Sequence, residues 1–126
     1  ISRWDNCGIA CVAADPAALI VESSFTSTVD VARTMNLVKH FTGIITYKYP
    51  AIDYIKKVKC PIMVIHSKDD RLIVYSLGRK LYDAAPGNSR FLEITGGHNS
   101  GFIESYEVYK AGLDKFLTEI LLSNNI

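Results

Sequence analysis

Three short strand-like runs, separated by stretches of helical periodicity, constrain this chain more than any other feature. Residues 17–21 read AALIV, residues 61–66 read PIMVIH and residues 90–94 read RFLEI. AALIV and PIMVIH are continuous apolar runs that suit buried strands, RFLEI reads as a third strand, and all three are too short for helices. The segments around them favour helix. Residues 7–14, CGIACVAA, suit a short helix that ends at Asp15-Pro16, because proline disfavours a helical residue before it. Residues 28–43 carry Val29, Val31, Ala32, Met35, Leu37, Val38 and Phe41 at roughly helical spacing, as one helix or two, ending near Gly43. Residues 47–55, with Pro50 inside, read as an irregular or short helical connection. Residues 75–85 place Leu77, Leu81 and Ala84 on one helix face, and Pro86-Gly87-Asn88 is a turn. Residues 102–122 predict a long amphipathic helix with Ile103, Tyr106, Tyr109, Leu113, Phe116, Leu117, Ile120 and Leu121 inward.

Strands that alternate with helices predict an α/β fold: a parallel sheet covered on both faces, in a three-layer sandwich. Three strands make a narrow sheet whose outer edge would be long and apolar. The expectation is therefore that residues 1–126 are the C-terminal portion of a larger domain. The initial Ile, in place of Met, agrees with an upstream segment.

Composition narrows the function classes. Fourteen Lys and Arg stand against 13 Asp and Glu, a net charge of +1, which gives no electrostatic case for nucleic acid or an anionic membrane. The longest apolar runs are far short of the roughly 18 residues that span a bilayer, and no basic and apolar leader opens the chain. Cys7, Cys11 and Cys60 form no disulfide framework and read as small packing residues in a reducing, cytoplasmic setting. His40, His66 and His98 lie too far apart to suggest a metal site.

In open parallel sheets, ligands bind beyond the carboxyl ends of the strands. Two loops there carry catalytic residue types. One follows PIMVIH and holds Lys68, Asp69 and Asp70; the other follows RFLEI and holds His98 after Gly96 and Gly97. If the two strands are neighbours, Asp70 and His98 can meet although they are 28 residues apart in sequence. A carboxylate on one imidazole nitrogen fixes the tautomer and leaves the other nitrogen as a base. Taken alone, Asp70 reads as a solvated loop carboxylate or a helix cap, and His98 as a turn residue.

The segment VIHSKDDRLIV, residues 64–74, resembles the acid-bearing segment of the α/β-hydrolase superfamily, with Asp70 at the acid position. GGHN, residues 96–99, resembles its histidine loop, and LIVESSFTS, residues 19–27, resembles the strand after the nucleophile helix in its small-lid serine hydrolases. The likeness runs from about Ala17 to Leu121. It implies a Ser-Asp-His triad with catalytic Asp70 and His98, and a serine on a G-x-S-x-G elbow. No G-x-S-x-G occurs in the chain. Ser2 is the nearest serine, with Trp4 where a glycine is needed, and Cys7 is the thiol counterpart, between Asp5 and Ile9. The expectation is that a complementary N-terminal chain or segment carries the elbow, and that this chain alone is inactive.

The function that follows is hydrolysis of a carboxylic ester or related acyl bond on a small-molecule substrate. No cofactor and no metal are implied. The alternative is a non-catalytic α/β module that uses its apolar sheet edge as an interaction surface. A nucleotide-binding domain is excluded by the absence of G-x-G-x-x-G and of a P-loop. Of the remaining residues, His66 reads as a packed core histidine, His40 as a surface residue and Glu22 as a structural hydrogen-bonding partner. Lys56-Lys57-Val58-Lys59 reads as a solvated face. Phe25, Phe41, Tyr47, Tyr49 and Tyr54 read equally as a substrate pocket or as a lid packed on the sheet.

Overall fold

The structure is a computed structural model, and it describes residues 16–35 and 50–123. Three strands, β1 (Leu19–Glu22), β2 (Ile62–Ser67) and β3 (Arg90–Ile94), form a parallel sheet in the order β1-β2-β3. β1 pairs Leu19 with Ile62 through Glu22 with Ile65, and β3 pairs Arg90 with Met63 through Ile94 with Ser67. Helices α1 (Thr28–Thr34) and α2 (Ala51–Ile55) fall between β1 and β2; α3 (Tyr75–Ala84) connects β2 to β3; α4 (Gly101–Glu104) and α5 (Tyr106–Ser123) follow β3.

The period-two geometry of β2 sorts the core into two layers. Every residue of β2 is buried. Ile62 and Val64 face a cluster with Ile55, Val58, Cys60 and Leu81, from the α2 and α3 side. Met63 and Ile65 face Ile94, Phe116 and Ile120, on the α5 side. Successive strand side chains point to opposite faces, so one continuous apolar run serves both layers. Each fully buried aliphatic side chain of this kind contributes about 1.5–3 kcal/mol. The three-layer α/β arrangement is the one the sequence predicts.

Several elements differ in detail from the sequence reading. β1 starts later than its apolar run and is not buried on both faces: Val21 is buried while Ile20 is exposed, as suits the outer strand of the described sheet. α1 ends at Thr34, where Met35 turns extended (φ −87°, ψ 113°), and the rest of the one or two helices expected over residues 28–43 lies outside the described residues. Ser27 caps α1, accepting from the Asp30 N–H at 3.1 Å. The helix expected over residues 7–14, together with His40, Phe41, Tyr47 and Tyr49, lies outside the described residues.

The helix expected over 102–122 is two helices. They break at Ser105, whose hydroxyl accepts from the Thr95 N–H and donates to the Thr95 carbonyl, both at 2.9 Å. Its inward face is narrower than predicted. Phe116 and Ile120 are buried, with Tyr109 and Leu113 packed beside them, whereas Ile103, Tyr106, Leu117 and Leu121 are exposed. Leu117 and Leu121 sit one position past the buried pair, about 100° around the helix, and the sheet covers only one stripe.

Candidate active site

The loops after β2 and β3 are joined before any functional side chain is considered. The Lys68 N–H donates to the Ile94 carbonyl at 3.0 Å, the Ser67 hydroxyl donates to the Gly96 carbonyl at 2.5 Å, and the Gly96 N–H donates to the Asp69 carboxylate at 3.1 Å. Lys68 also reaches Glu93 on β3 at 2.9 Å, and the Tyr75 hydroxyl donates to the same carboxylate at 2.7 Å. Those two donors, the Tyr75 hydroxyl first, hold the Glu93 carboxyl below its usual range.

Asp70 is fixed from within its own loop. Its Oδ1 accepts from the N–H groups of Leu72 (2.9 Å) and Ile73 (2.8 Å), and its side chain is 0% exposed. It does not cap α3, whose first turn follows Val74 without a side-chain cap. The two backbone bonds leave Oδ2 aimed at the other loop, where it lies 2.7 Å from His98 Nδ1. A carboxylate only accepts, so Nδ1 carries the proton in this pair and Nε2 is the ring nitrogen left over.

The histidine is placed by a different device. Gly96 has φ +103°, a region that side chains rarely adopt, and a Cβ there would come within 3.0 Å of Glu104 Cβ. Glu104 ties the loop to α4, accepting from the Ser100 hydroxyl and from the Gly97 N–H at 3.4 Å. His98 itself is 25% exposed and lines an open cleft of about 640 Å³. Ile20, Phe25, Leu72, Ile73 and Phe102 supply the apolar walls, and Glu22, Ser23, Ser24 and Asn99 the polar ones.

Glu22 anchors one wall. The Tyr109 hydroxyl on α5 donates to its carboxylate at 2.9 Å, and burial together with this bond pushes the Tyr109 hydroxyl up to about 12. Of the sequence-predicted residues, the structure thus brings Asp70 and His98 together and gives Glu22 a structural bond. Asp69 is exposed and bonds Gly96, and His66 is fully buried. Phe25 reaches the cleft, whereas Ser2 and Cys7 lie outside the described residues. Sequence reasoning missed the serines after β1. Ser23 turns the chain with φ +48° at the strand's carboxyl end, and nothing in the tripeptide Glu22-Ser23-Ser24 signals that turn. Among the described residues no group of three His, Cys, Asp or Glu side chains gathers as a metal site, and no helix is long and apolar enough to cross a membrane.

No protein-family model matches the chain. The α/β-hydrolase domain-containing protein aho-3 of Caenorhabditis elegans is 33% identical over 108 residues, covering 82% of this chain and 30% of that protein. The protein BpoC of Mycobacterium tuberculosis H37Rv superposes with a TM-score of 0.65 over 90% of this chain and 63% of its own, at 18% identity. The chain has the α/β-hydrolase fold and is similar in sequence to proteins named for that domain. The esterase domain of a Rhodothermus marinus protein shares this fold with a TM-score of 0.57 at 14% identity, over 84% of this chain and 55% of that one. Lysophosphatidylserine lipase ABHD12 of Macaca fascicularis is 32% identical over 93 residues, 59% of this chain and 22% of the lipase. The chain spans about a third of the length of the first curated relatives it matches, a coverage that fits the C-terminal part of such a domain.

Proposed function

We propose that this chain is the C-terminal portion of a hydrolase that cleaves a carboxylic ester or related acyl bond, and that it supplies the acid and the base of a Ser-Asp-His triad. The observation that carries this reading is the 2.7 Å contact between His98 Nδ1 and the buried Asp70 Oδ2, beside an open cleft. Asp70, held by two backbone donors, orients the His98 ring and stabilises the imidazolium that forms during reaction. His98 Nε2 takes the proton of the attacking nucleophile and returns it to the leaving alkoxide. The nucleophile is a serine on a complementary N-terminal segment, and the chain by itself does not turn over substrate. The apolar walls around His98 suit the acyl or alkyl part of a small-molecule ester.

The test is labelling of the native protein with a fluorophosphonate, followed by turnover of p-nitrophenyl esters. The expected result is covalent labelling of one serine, and ester turnover that the His98→Ala variant loses. An unlabelled native protein with no turnover of any ester would instead favour a non-catalytic α/β module.

A further inference from the structure

His66 is a buried polar residue that the proposed reaction does not use. It sits in β2 with 0% exposure. Its Nε2 lies 2.8 Å from the Ile73 carbonyl. A carbonyl only accepts, so the ring donates through Nε2. Its Nδ1 is buried and has no hydrogen-bond partner. That edge faces Gly78 on α3, where a Cβ would come within 2.6 Å of the ring Cγ and closer still to Nδ1. Tyr75 closes the pocket with an edge contact, its ring centroid 6.1 Å away. Leucine or methionine would fill this space without an unpaired polar atom. What the imidazole adds is a single donated bond, so its value lies in where that bond goes.

The bond goes to a residue that holds Asp70. Ile73 donates its N–H to Asp70 Oδ1 at 2.8 Å and accepts His66 Nε2–H on its carbonyl. The residue is therefore fixed at both ends, between the core of β2 and the carboxylate. The same Nε2 lies 3.7 Å from Asp70 Oδ2, too far for a hydrogen bond but on the side of the oxygen that receives His98. We propose that His66 is a positioning residue for the Asp70–His98 pair, acting through the Ile73 carbonyl to set the direction of Asp70 Oδ2. The proposal deepens the hydrolase reading and rests on its assignment of the pair.

The test uses three variants of the native protein. His66→Leu removes the donor and keeps an apolar filling. His66→Gln returns an N–H near the position of Nε2. Gly78→Ala leaves His66 in place and displaces its ring from behind. The first readout is the low-field proton resonance of His98 Nδ1–H, observed without substrate. It is expected in the wild type and in His66→Gln, and weakened or lost in His66→Leu and Gly78→Ala, all with unchanged far-ultraviolet circular dichroism. The second readout is ester kinetics. A misaimed carboxylate lowers kcat by about 10- to 100-fold, with KM changed much less. A folded His66→Leu protein with the wild-type resonance and kcat would overturn the proposal, and so would a folded His66→Gln protein that behaves like His66→Leu. Because the resonance needs no substrate, a wild type that shows it without hydrolysing esters would refute the hydrolase reading and leave the role of His66 to be decided by the variants.

Discussion

The two loops that meet at the cleft are built on opposite plans. The loop after β2 buries its functional carboxylate completely and holds it with backbone N–H groups and, through Ile73, with a core histidine. The loop after β3 leaves its imidazole partly exposed and is shaped by one glycine in the left-handed region and by side chains of the helix that follows. Backbone N–H donors from Leu72 and Ile73 hold the carboxylate inside its own loop, whereas the glycine turn is tied by exposed side chains. The pairing of Asp70 and His98 is therefore directed from the carboxylate side.

That contrast makes unequal demands on substitution. In the native protein, His98→Ala is expected to lower ester kcat by roughly 10⁴- to 10⁶-fold, and Asp70→Asn by about 10⁴-fold, because an amide favours the wrong tautomer of the ring. Steady-state kinetics on p-nitrophenyl esters checks both. Stability reverses the order. Asp70→Ala strands the buried Ile73 N–H and the partly buried Leu72 N–H and is expected to cost about 2–4 kcal/mol, whereas His98→Ala, at a partly exposed position that water can enter, costs under about 1 kcal/mol. Urea unfolding measures the difference, and equal losses would remove the distinction between the loops.

Gly96→Ala tests the second plan. Its φ of +103° and the crowding by Glu104 predict a loss of about 1–3 kcal/mol in stability together with slower turnover, visible in melting curves and kcat. The smallest effect belongs to the wall of the cleft. The bond from Tyr109 to Glu22 stabilises the folded state by about 1 kcal/mol. Folding raises the Tyr109 hydroxyl from 10.0 to about 12, so this contribution is fully present below pH 10 and is lost as the pH climbs towards 12. Tyr109→Phe is expected to be slightly less stable at pH 8 and to show a shallower decline between pH 10 and 12 in alkaline unfolding.

How much of this was legible in the sequence depends on how local each cause is. β2 was readable because an outward-facing polar residue would break its run, and none does. β3 was readable with its bounds, and its Phe91 and Leu92 are partly covered. The stripe on α5 was overdrawn because periodicity shows which side chains are apolar, not how wide a sheet they meet. The break at Ser105 comes from a side chain that bonds Thr95 ten positions away, a contact no window of sequence contains. The meeting of Asp70 and His98 was legible from strand order together with the two family-like segments. His66 was legible only as a core residue, because its link to Ile73 depends on the turn that Asp70 itself makes.

The central claim is that Asp70 holds the neutral His98 ring with its proton on Nδ1, leaving Nε2 as the base. Nitrogen-15 chemical shifts of the His98 ring in the native protein report that tautomer directly. The account predicts a protonated Nδ1 and a bare Nε2, with the preference lost in Asp70→Ala. A ring protonated on Nε2, or one whose shifts ignore the loss of Asp70, would contradict it.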